Sequence, residues 1–348
     1  MGRNESDPDV AQFGGLTKCW VLGTSGTGTV LNERGIEMRI GVIGAGIAAG
    51  YLGSELQKMG HELIVFEKSR GFGGRLATRR GDGAQFDHGA PFFTARTPLF
   101  KDVLAQHSSS VVEWTPSVIT LAPGAKAYKR DWFEPHYVCT PAMGALVKSL
   151  LATSEVQFER EVRSVISQEN ICLVHFKDES VEQCDFVIST APAEQTASIM
   201  DVDLQGVSYS PCFALLGIPT QSLKFDAAVI KDSLIEWIEC SSSKPGRVGA
   251  KTLVAHASGE WSAQHFDAPR DEVKQAMLSA LTALGIEVEE SPGLHRWRYS
   301  QVDQPYKLPY WLCPRTRRAA CGDWGVGRGV ESAVTSASKL IEAMAVHL

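Results

Sequence analysis

The sequence predicts an α/β fold in which a nucleotide-binding domain, built on a parallel sheet, carries an inserted domain of mixed β-sheet. Three observations predict it. From Met38 a buried-type strand, a glycine turn, an amphipathic helix and a second strand follow one another within about 30 residues, the length of one β-α-β unit. The middle of the chain is a succession of short strands, many alternating with period 2. Near the C-terminus an apolar strand ending in Gly322-Asp323 leads into a long helix, so nucleotide-binding character returns after the strand-rich middle.

Composition bounds the rest. The chain has 348 residues, 44% hydrophobic and 21% charged, with a mean hydropathy of -0.08. That is ordinary globular composition, and the length suggests two domains, each able to bury a core. Thirty-four Lys+Arg against 40 Asp+Glu give a net charge of -6. The basic clusters are short (Lys68 to Arg80, Arg315 to Arg318), which argues against a nucleic-acid partner. No apolar run approaches the ~20 residues of a membrane helix. Eight cysteines include no C-x-x-C pair, so they read as free buried thiols, consistent with a reducing cytoplasm.

Residues 1–37 read as a poorly ordered leader. Their run Gly23-Thr-Ser-Gly26-Thr-Gly28 imitates a phosphate loop but lacks its lysine. Arg39 to Ile43 is the first strand, and Gly44-Ala-Gly46-Ile-Ala-Ala49 turns into a helix that runs to about Met59. Gly60 suits its C-terminal cap, and Glu62 to Phe66 is the second strand, ending at Glu67. Thr140-Pro141 reads as an N-cap and first helical residue of a helix to about Leu151. Further strands are expected at Val118 to Leu121, Val162 to Ser167, Ile171 to Phe176 and Phe186 to Thr190. Later ones are expected at Phe213 to Gly217, Leu234 to Glu239, Thr252 to His256 and Leu294 to Tyr299. Arg270 to Leu284 is an amphipathic helix, and the last helix begins near Gly329. The nucleotide domain is therefore expected at 38–95, 155–205 and 312–348, and the inserted domain at 96–154 and 206–311.

Four motifs carry chemistry. In Gly44-x-Gly46-x-x-Ala49 the first glycine allows the tight turn, and the second lets backbone approach a pyrophosphate. The helix N-terminus, opening with Ile47 and Ala48, offers that pyrophosphate N–H groups and positive dipole. Glu67 can accept from both hydroxyls of an adenosine ribose. Lys68-Ser-Arg70-Gly-Phe-Gly73-Gly74-Arg75 follows directly, placing backbone glycine and an arginine fork where an extended FAD pyrophosphate passes. This loop favours FAD over a nicotinamide dinucleotide as resident cofactor. Gln85-Phe-Asp87-His88-Gly89-Ala90-Pro91-Phe92-Phe93 suits passage beneath a flat flavin ring. Finally, Gly322-Asp323 suits a ribityl chain, and the helix opening at Gly329, Val330 and Glu331 can direct its dipole at the flavin pyrimidine. Val162 completes the expected cofactor-binding set. The result is a Rossmann-like FAD-binding domain with an inserted, mixed β-sheet substrate domain.

From Met38 to about Val346 the chain resembles the renalase-like flavoproteins, a branch of the flavin amine-oxidase superfamily, and its bacterial members most. The resemblance rests on Phe66-Glu-Lys-Ser-Arg-Gly-Phe-Gly-Gly-Arg75, Phe92-Phe-Thr-Ala-Arg96, Val112-Glu-Trp-Thr-Pro116 and Ser243-Lys-Pro-Gly-Arg247. His256-Ala-Ser-Gly-Glu-Trp261, His295-Arg-Trp297 and Cys321-Gly-Asp-Trp324 carry it further. It implies a p-hydroxybenzoate-hydroxylase-like fold with non-covalent FAD. It also implies hydride transfer from the 2- and 6-dihydro isomers of NAD(P)H to flavin N5, with O₂ reduced to H₂O₂. Such a substrate gains aromaticity on losing hydride, so no acid or base residue is required. The chain departs from the family at Pro91-Phe92, where Gln-Tyr is usual, at His88, usually apolar, and at Arg328 and Ser332 in the last loop.

For the substrate pocket the sequence nominates His256, Trp261, His295, Trp297 and Tyr299, with His136 and Trp237 as weaker candidates. Lys244 and Arg247 beside Pro245-Gly246 could meet a substrate phosphate but read more readily as a solvated turn. Two other functions compete: a flavin amine oxidase acting on a small amine, and a flavin-binding scaffold without turnover. No metal ligand set is expected, and the expected partners are a dihydropyridine dinucleotide and O₂.

Overall fold

The computed structural model describes residues 37–346 except 82, 132 and 290–292, so the expected leader lies, Glu37 apart, outside the described residues. Strand β1 (Arg39–Ile43), helix α1 (Ile47–Lys58) and strand β2 (Glu62–Glu67) form the anticipated β-α-β unit. They belong to a six-stranded sheet. Its edge-to-edge order is Tyr310–Cys313, Arg318–Cys321, Phe186–Ser189, β1, β2 and Glu155–Phe158, parallel except at the first strand.

Both faces of that sheet are covered, which is why β1 reads as a continuous apolar run rather than an alternating one. Ile40, Val42 and Leu63 face a helical layer of α1, Pro98–Gln106, Ala145–Leu150 and Val330–Met344. Ile43, Ile64 and Phe66 face a three-stranded antiparallel meander of Val162–Gln168, Ile171–Phe176 and Val181–Cys184.

The second sheet has seven strands. In order they are Gly293–Gln304, Ser208–Gly217, Leu253–Ala257, Ile235–Glu239, Ala227–Ile230, Val118–Leu121 and Tyr128–Lys129. It is antiparallel except where Ala227–Ile230 runs parallel to Val118–Leu121, which makes it mixed as expected. One face buries Phe213, Leu215 and Ala255 beneath helix Arg270–Ala283, through Val273, Met277 and Leu281. On the opposite, inner face Ala214, Leu216 and Val254 pack against Phe86.

Two local expectations are revised. The helix placed from Pro141 begins at Ala145. The backbone before it bonds outward instead of into a first turn: Thr140 N donates to Ser110 O, and Met143 N donates to Thr78 Oγ1. Helices Pro98–Gln106 and Ala145–Leu150, within the stretch assigned to the inserted domain, bury Phe100, Leu146, Val147 and Leu150 in the same core as α1. Among the described residues seven cysteines are free thiols, and burial pushes those of Cys139, Cys184 and Cys212 up to about 12, which makes them inert.

Candidate active site

The glycine turn after β1 is held from three sides. Gly44 has φ +95, and a Cβ there would stand 2.9 Å from Thr190 Oγ1, so only glycine fits. Glu67 is buried and bonds to this turn: Oε2 accepts from Ala45 N at 2.8 Å, while Oε1 accepts from Ser69 N at 2.7 Å. Each oxygen retains acceptor capacity for a ribose hydroxyl. Gly73 N donates to Ala45 O at 2.8 Å, so the Gly73-Gly74-Arg75 loop lies directly against the turn.

Whether these residues fit a flavin nucleotide is decided by the space they leave. A Cβ built on Gly46 meets no atom within 4 Å, and the same holds at Gly327 and Gly329. Helices α1 and Val330–Met344 both start without a side-chain cap, at Gly46 and Gly329. Two uncapped helix N-termini beside open glycines, with a carboxylate between turn and loop, fit a dinucleotide whose pyrophosphate is anionic and whose ring becomes so on reduction.

Arg75 and Asp323, expected to contact the nucleotide separately, contact each other. The fork is bidentate, with Nη1 to Oδ2 at 2.6 Å and Nη2 to Oδ1 at 2.8 Å, and it joins segments 248 residues apart. It closes the C-terminal strand onto the N-terminal loop. Arg75→Met should therefore lower stability by about 1–3 kcal/mol, the loss of a charge-assisted bidentate pair, and loosen bound flavin. Denaturant midpoints and flavin release on dilution would measure both.

Other expected cofactor residues have identifiable places. Gly89 and Ala90 lie on the backbone of Arg75, with Ala90 N donating to its carbonyl at 2.8 Å. Phe93 is buried against Phe100. Val162 packs in the core behind β2, beside Ile64 and Phe66. Glu331 is engaged elsewhere: its carboxylate accepts from Thr97 N at 2.6 Å and from Arg96 N at 3.1 Å. Burial would raise its pKa, but these bonds hold it lowered. Lys68 is exposed.

The inner face of the seven-stranded sheet carries the candidate substrate residues in one row. Paired residues in adjacent strands share a face, and the register aligns His295, Ala214, His256, Trp237, Val229 and Thr120. Trp297, two residues from His295, joins them. His88 lies over this row. Its ring stacks on Trp297 at 5.2 Å and meets His295 edge-on at 4.7 Å. Its carbonyl accepts from Trp297 Nε1 at 2.7 Å and lies 3.4 Å from His256 Nε2. Phe92 extends the aromatic wall, 4.4 Å from the His136 ring and 5.6 Å from Trp237.

Two of the five nominated residues fall elsewhere. Ser258 Oγ caps a short helix through Trp261 N, and that helix carries Trp261 to the outer face against Phe213. Tyr299 lies beyond the row, where its hydroxyl donates to Glu194 at 2.8 Å and its ring meets Tyr209 edge-on. Bulges at Glu236 and around Pro211 interrupt the ladder, opening a cleft next to the row lined by Cys212, Glu236, Ser300 and Arg328.

The electrostatics are distinctive. Burial lowers the pKa of His256 and of His295 to about 4, and nearby Lys244, Arg79 and Arg270 act in the same direction. His88 is lowered too, chiefly by burial. These imidazoles are neutral at pH 7. Lys244 and Arg247 do not form the solvated turn expected from their sequence. Both are enclosed, with Lys244 Nζ 3.1 Å from Asp87 Oδ2 and 2.7 Å from Glu239 Oε1, and Arg247 Nη2 2.7 Å from Asp87 Oδ2. Sequence reasoning missed Asp87 and Glu239. The available signal was alternation, since Glu239 is two residues from Trp237 on one strand and so shares its face.

Comparisons with known proteins agree with this arrangement. Residues 42–106 match the NAD(P)-binding Rossmann-like domain family, and residues 130–214 match the flavin containing amine oxidoreductases. Over 66 residues the chain is 38% identical to 4,4'-diapophytoene desaturase (4,4'-diaponeurosporene-forming) of Staphylococcus aureus. That match spans 19% of this chain and 13% of the desaturase. A CLA-producing fatty acid isomerase from P. acnes superposes with TM-score 0.69 at 11% identity, covering 88% of this chain and 98% of the isomerase. Putrescine oxidase bound to putrescine gives 0.68 at 12%, covering 89% and 99%. These structural likenesses establish the fold.

Proposed function

We propose that this chain, a flavin-dependent oxidoreductase of the flavin amine-oxidase superfamily, binds FAD non-covalently and oxidises the 2- and 6-dihydro isomers of NAD(P)H to NAD(P)⁺, passing the electrons to O₂ to give H₂O₂. The flavin would supply the two-electron acceptor. The chain's own residues bind, orient and exclude water. Gly44 to Ala48, Glu67 and the Gly73-Gly74 loop would hold the adenosine and pyrophosphate, and the Gly327 to Val330 loop the ring end.

The observation that carries the reading is the neutral aromatic row of His256, His295 and Trp297 beneath His88. Stacked imidazole and indole suit a flat, uncharged dihydropyridine. An ammonium substrate finds poor support there. Of the carboxylates on or beside the row, Asp87 is bonded by Lys244 and Arg247, Glu239 by Lys244 through one oxygen, Glu194 by the Tyr299 hydroxyl, and Glu236 in the adjoining cleft lies in the field of Arg328. Arg79, Arg270 and Lys244 give the surroundings positive character, which favours a substrate with phosphates. No proton need be removed from a dihydropyridine, so a row of neutral histidines serves orientation.

Anaerobic mixing with partly isomerised NADH and NADPH tests the reading through the oxidised-flavin absorbance. Bleaching by an isomer fraction, but not by ordinary NADH or by putrescine, is expected. Bleaching by putrescine alone would move the protein to the amine oxidases, and bleaching by neither would favour a scaffold. Trp297→Leu should keep its flavin yet raise the isomer KM about tenfold, the loss of one stacking partner worth roughly 1–1.5 kcal/mol.

A further inference from the structure

The cluster of Asp87, Lys244, Arg247 and Glu239 lies on the same sheet face as the aromatic row, and its two acids are treated unequally. Asp87 has both oxygens filled. Oδ2 accepts from Lys244 at 3.1 Å and from Arg247 Nε at 3.1 Å and Nη2 at 2.7 Å, while Oδ1 accepts from Thr78 Oγ1 at 2.5 Å. Glu239 shares the same lysine, at 2.7 Å to Oε1, which also accepts from Ser241 Oγ at 3.2 Å. Its Oε2 is enclosed and has no hydrogen-bond partner among the described residues. A bare, buried carboxylate oxygen is strongly unfavourable, whereas a carboxylic acid there carries no net charge.

We propose that Glu239 is the proton-carrying member of this cluster, and that its protonation sets the charge of the seam beside the candidate substrate face. With Glu239 neutral, Asp87, Lys244 and Arg247 sum to one positive charge; with Glu239 ionised the sum is zero. The other titratable groups that face the cluster are His256 on the adjacent strand, Cys139 on Tyr137–Cys139, and Cys240. All three are held neutral, His256 by burial and the thiols by burial that raises them to about 12. The seam reaches the site by two short routes. Asp87 precedes His88, and Glu239 is two residues from Trp237. Glu239 is thus a positioning residue for charge, and its effect on ligands rests on the flavin reading above.

Burial raises the Glu239 pKa from 4.5 to about 7, with Lys244 opposing. A raised carboxyl gives stability that is complete below the ordinary carboxylate range and is lost as pH rises to about 7, because the unfolded chain releases its proton first. Thermal unfolding of the full chain from pH 4.5 to 8 therefore reads the proposal without any substrate. Wild type should lose stability across that interval relative to Glu239→Gln, with the two equal near its acid end. A Glu239→Gln variant less stable than wild type throughout would mean an ionised Glu239 paired with Lys244, and would overturn the proposal. Should Glu239→Gln fail to fold, Lys244→Met serves instead. The decline must then move to higher pH, and an unmoved decline overturns the proposal equally. In the flavin-loaded protein, sulfite is the anionic probe. The ratio of its affinities for wild type and Glu239→Gln should fall about tenfold from pH 6 to pH 8, and a constant ratio would show that the seam's charge does not reach the ring. Failure of the dihydropyridine reading would leave the unfolding result untouched.

Discussion

Gly46→Val is expected to fold with near wild-type stability and to purify without bound flavin. The backbone at Gly46 has φ -90 and ψ -175, an extended conformation open to any residue, and a Cβ there meets nothing within 4 Å. The substitution therefore introduces neither strain nor a clash within the protein. It places a branched side chain at the N-terminus of α1, in the space that a pyrophosphate would need in order to reach the first-turn N–H groups. Gly44→Val is the instructive contrast. With φ +95 and Thr190 Oγ1 2.9 Å from the added carbon, it should lose stability as well as flavin. Unfolding midpoints with flavin absorbance separate the two. A yellow, fully loaded Gly46→Val would refute the assignment of this turn.

Asp87→Ala is expected to cost about 3–5 kcal/mol, the largest effect on stability among these variants, because it strands Lys244 and Arg247 as buried cations with one acid between them. The consequence extends to the site. Asp87 is anchored by Lys244, Arg247 and Thr78, and the next residue supplies the carbonyl that receives Trp297 Nε1 and the ring that covers His295. Denaturant titration measures the first effect, and a raised KM in the protein that remains folded measures the second. A loss below about 1 kcal/mol would mean that solvent reaches the cluster.

The nucleotide-binding half was legible because its chemistry depends on local order. Strand, glycine turn, helix and strand follow one another within a single β-α-β unit that Glu67 bonds back to at Ala45, so their spacing survives in the sequence. The strand leading into Gly322-Asp323 was legible for the same reason, but the pairing of Asp323 with Arg75 was not. What remained hidden depends on register between distant strands. His256 and His295 share a row only because Ala214 pairs with both, and no local pattern records that. Trp261 misled because its neighbours suggest continuity with His256, whereas the Ser258 cap begins a helix between them. Lys244 and Arg247 look solvated beside Pro245-Gly246, since charged residues next to a turn usually are. Asp87, more than 150 residues upstream, together with Glu239 on the preceding strand, accounts for their burial.

The order of strands in the six-stranded sheet has a consequence for biosynthesis. Its central strands come from residues 39–67 and 186–189, but Arg318–Cys321 and Tyr310–Cys313 arrive only after the whole seven-stranded sheet has been made. A chain emerging from the ribosome therefore presents its glycine turn long before it can present Asp323 to Arg75 or add the final helix. Domains generally fold as units during synthesis, N-terminal elements first. Here the inserted unit is synthesised before the strands that complete the earlier one. On the flavin reading proposed above, cofactor capture would await the last segment, and cleavage anywhere between residues 310 and 330 should abolish it while leaving the inserted sheet whole.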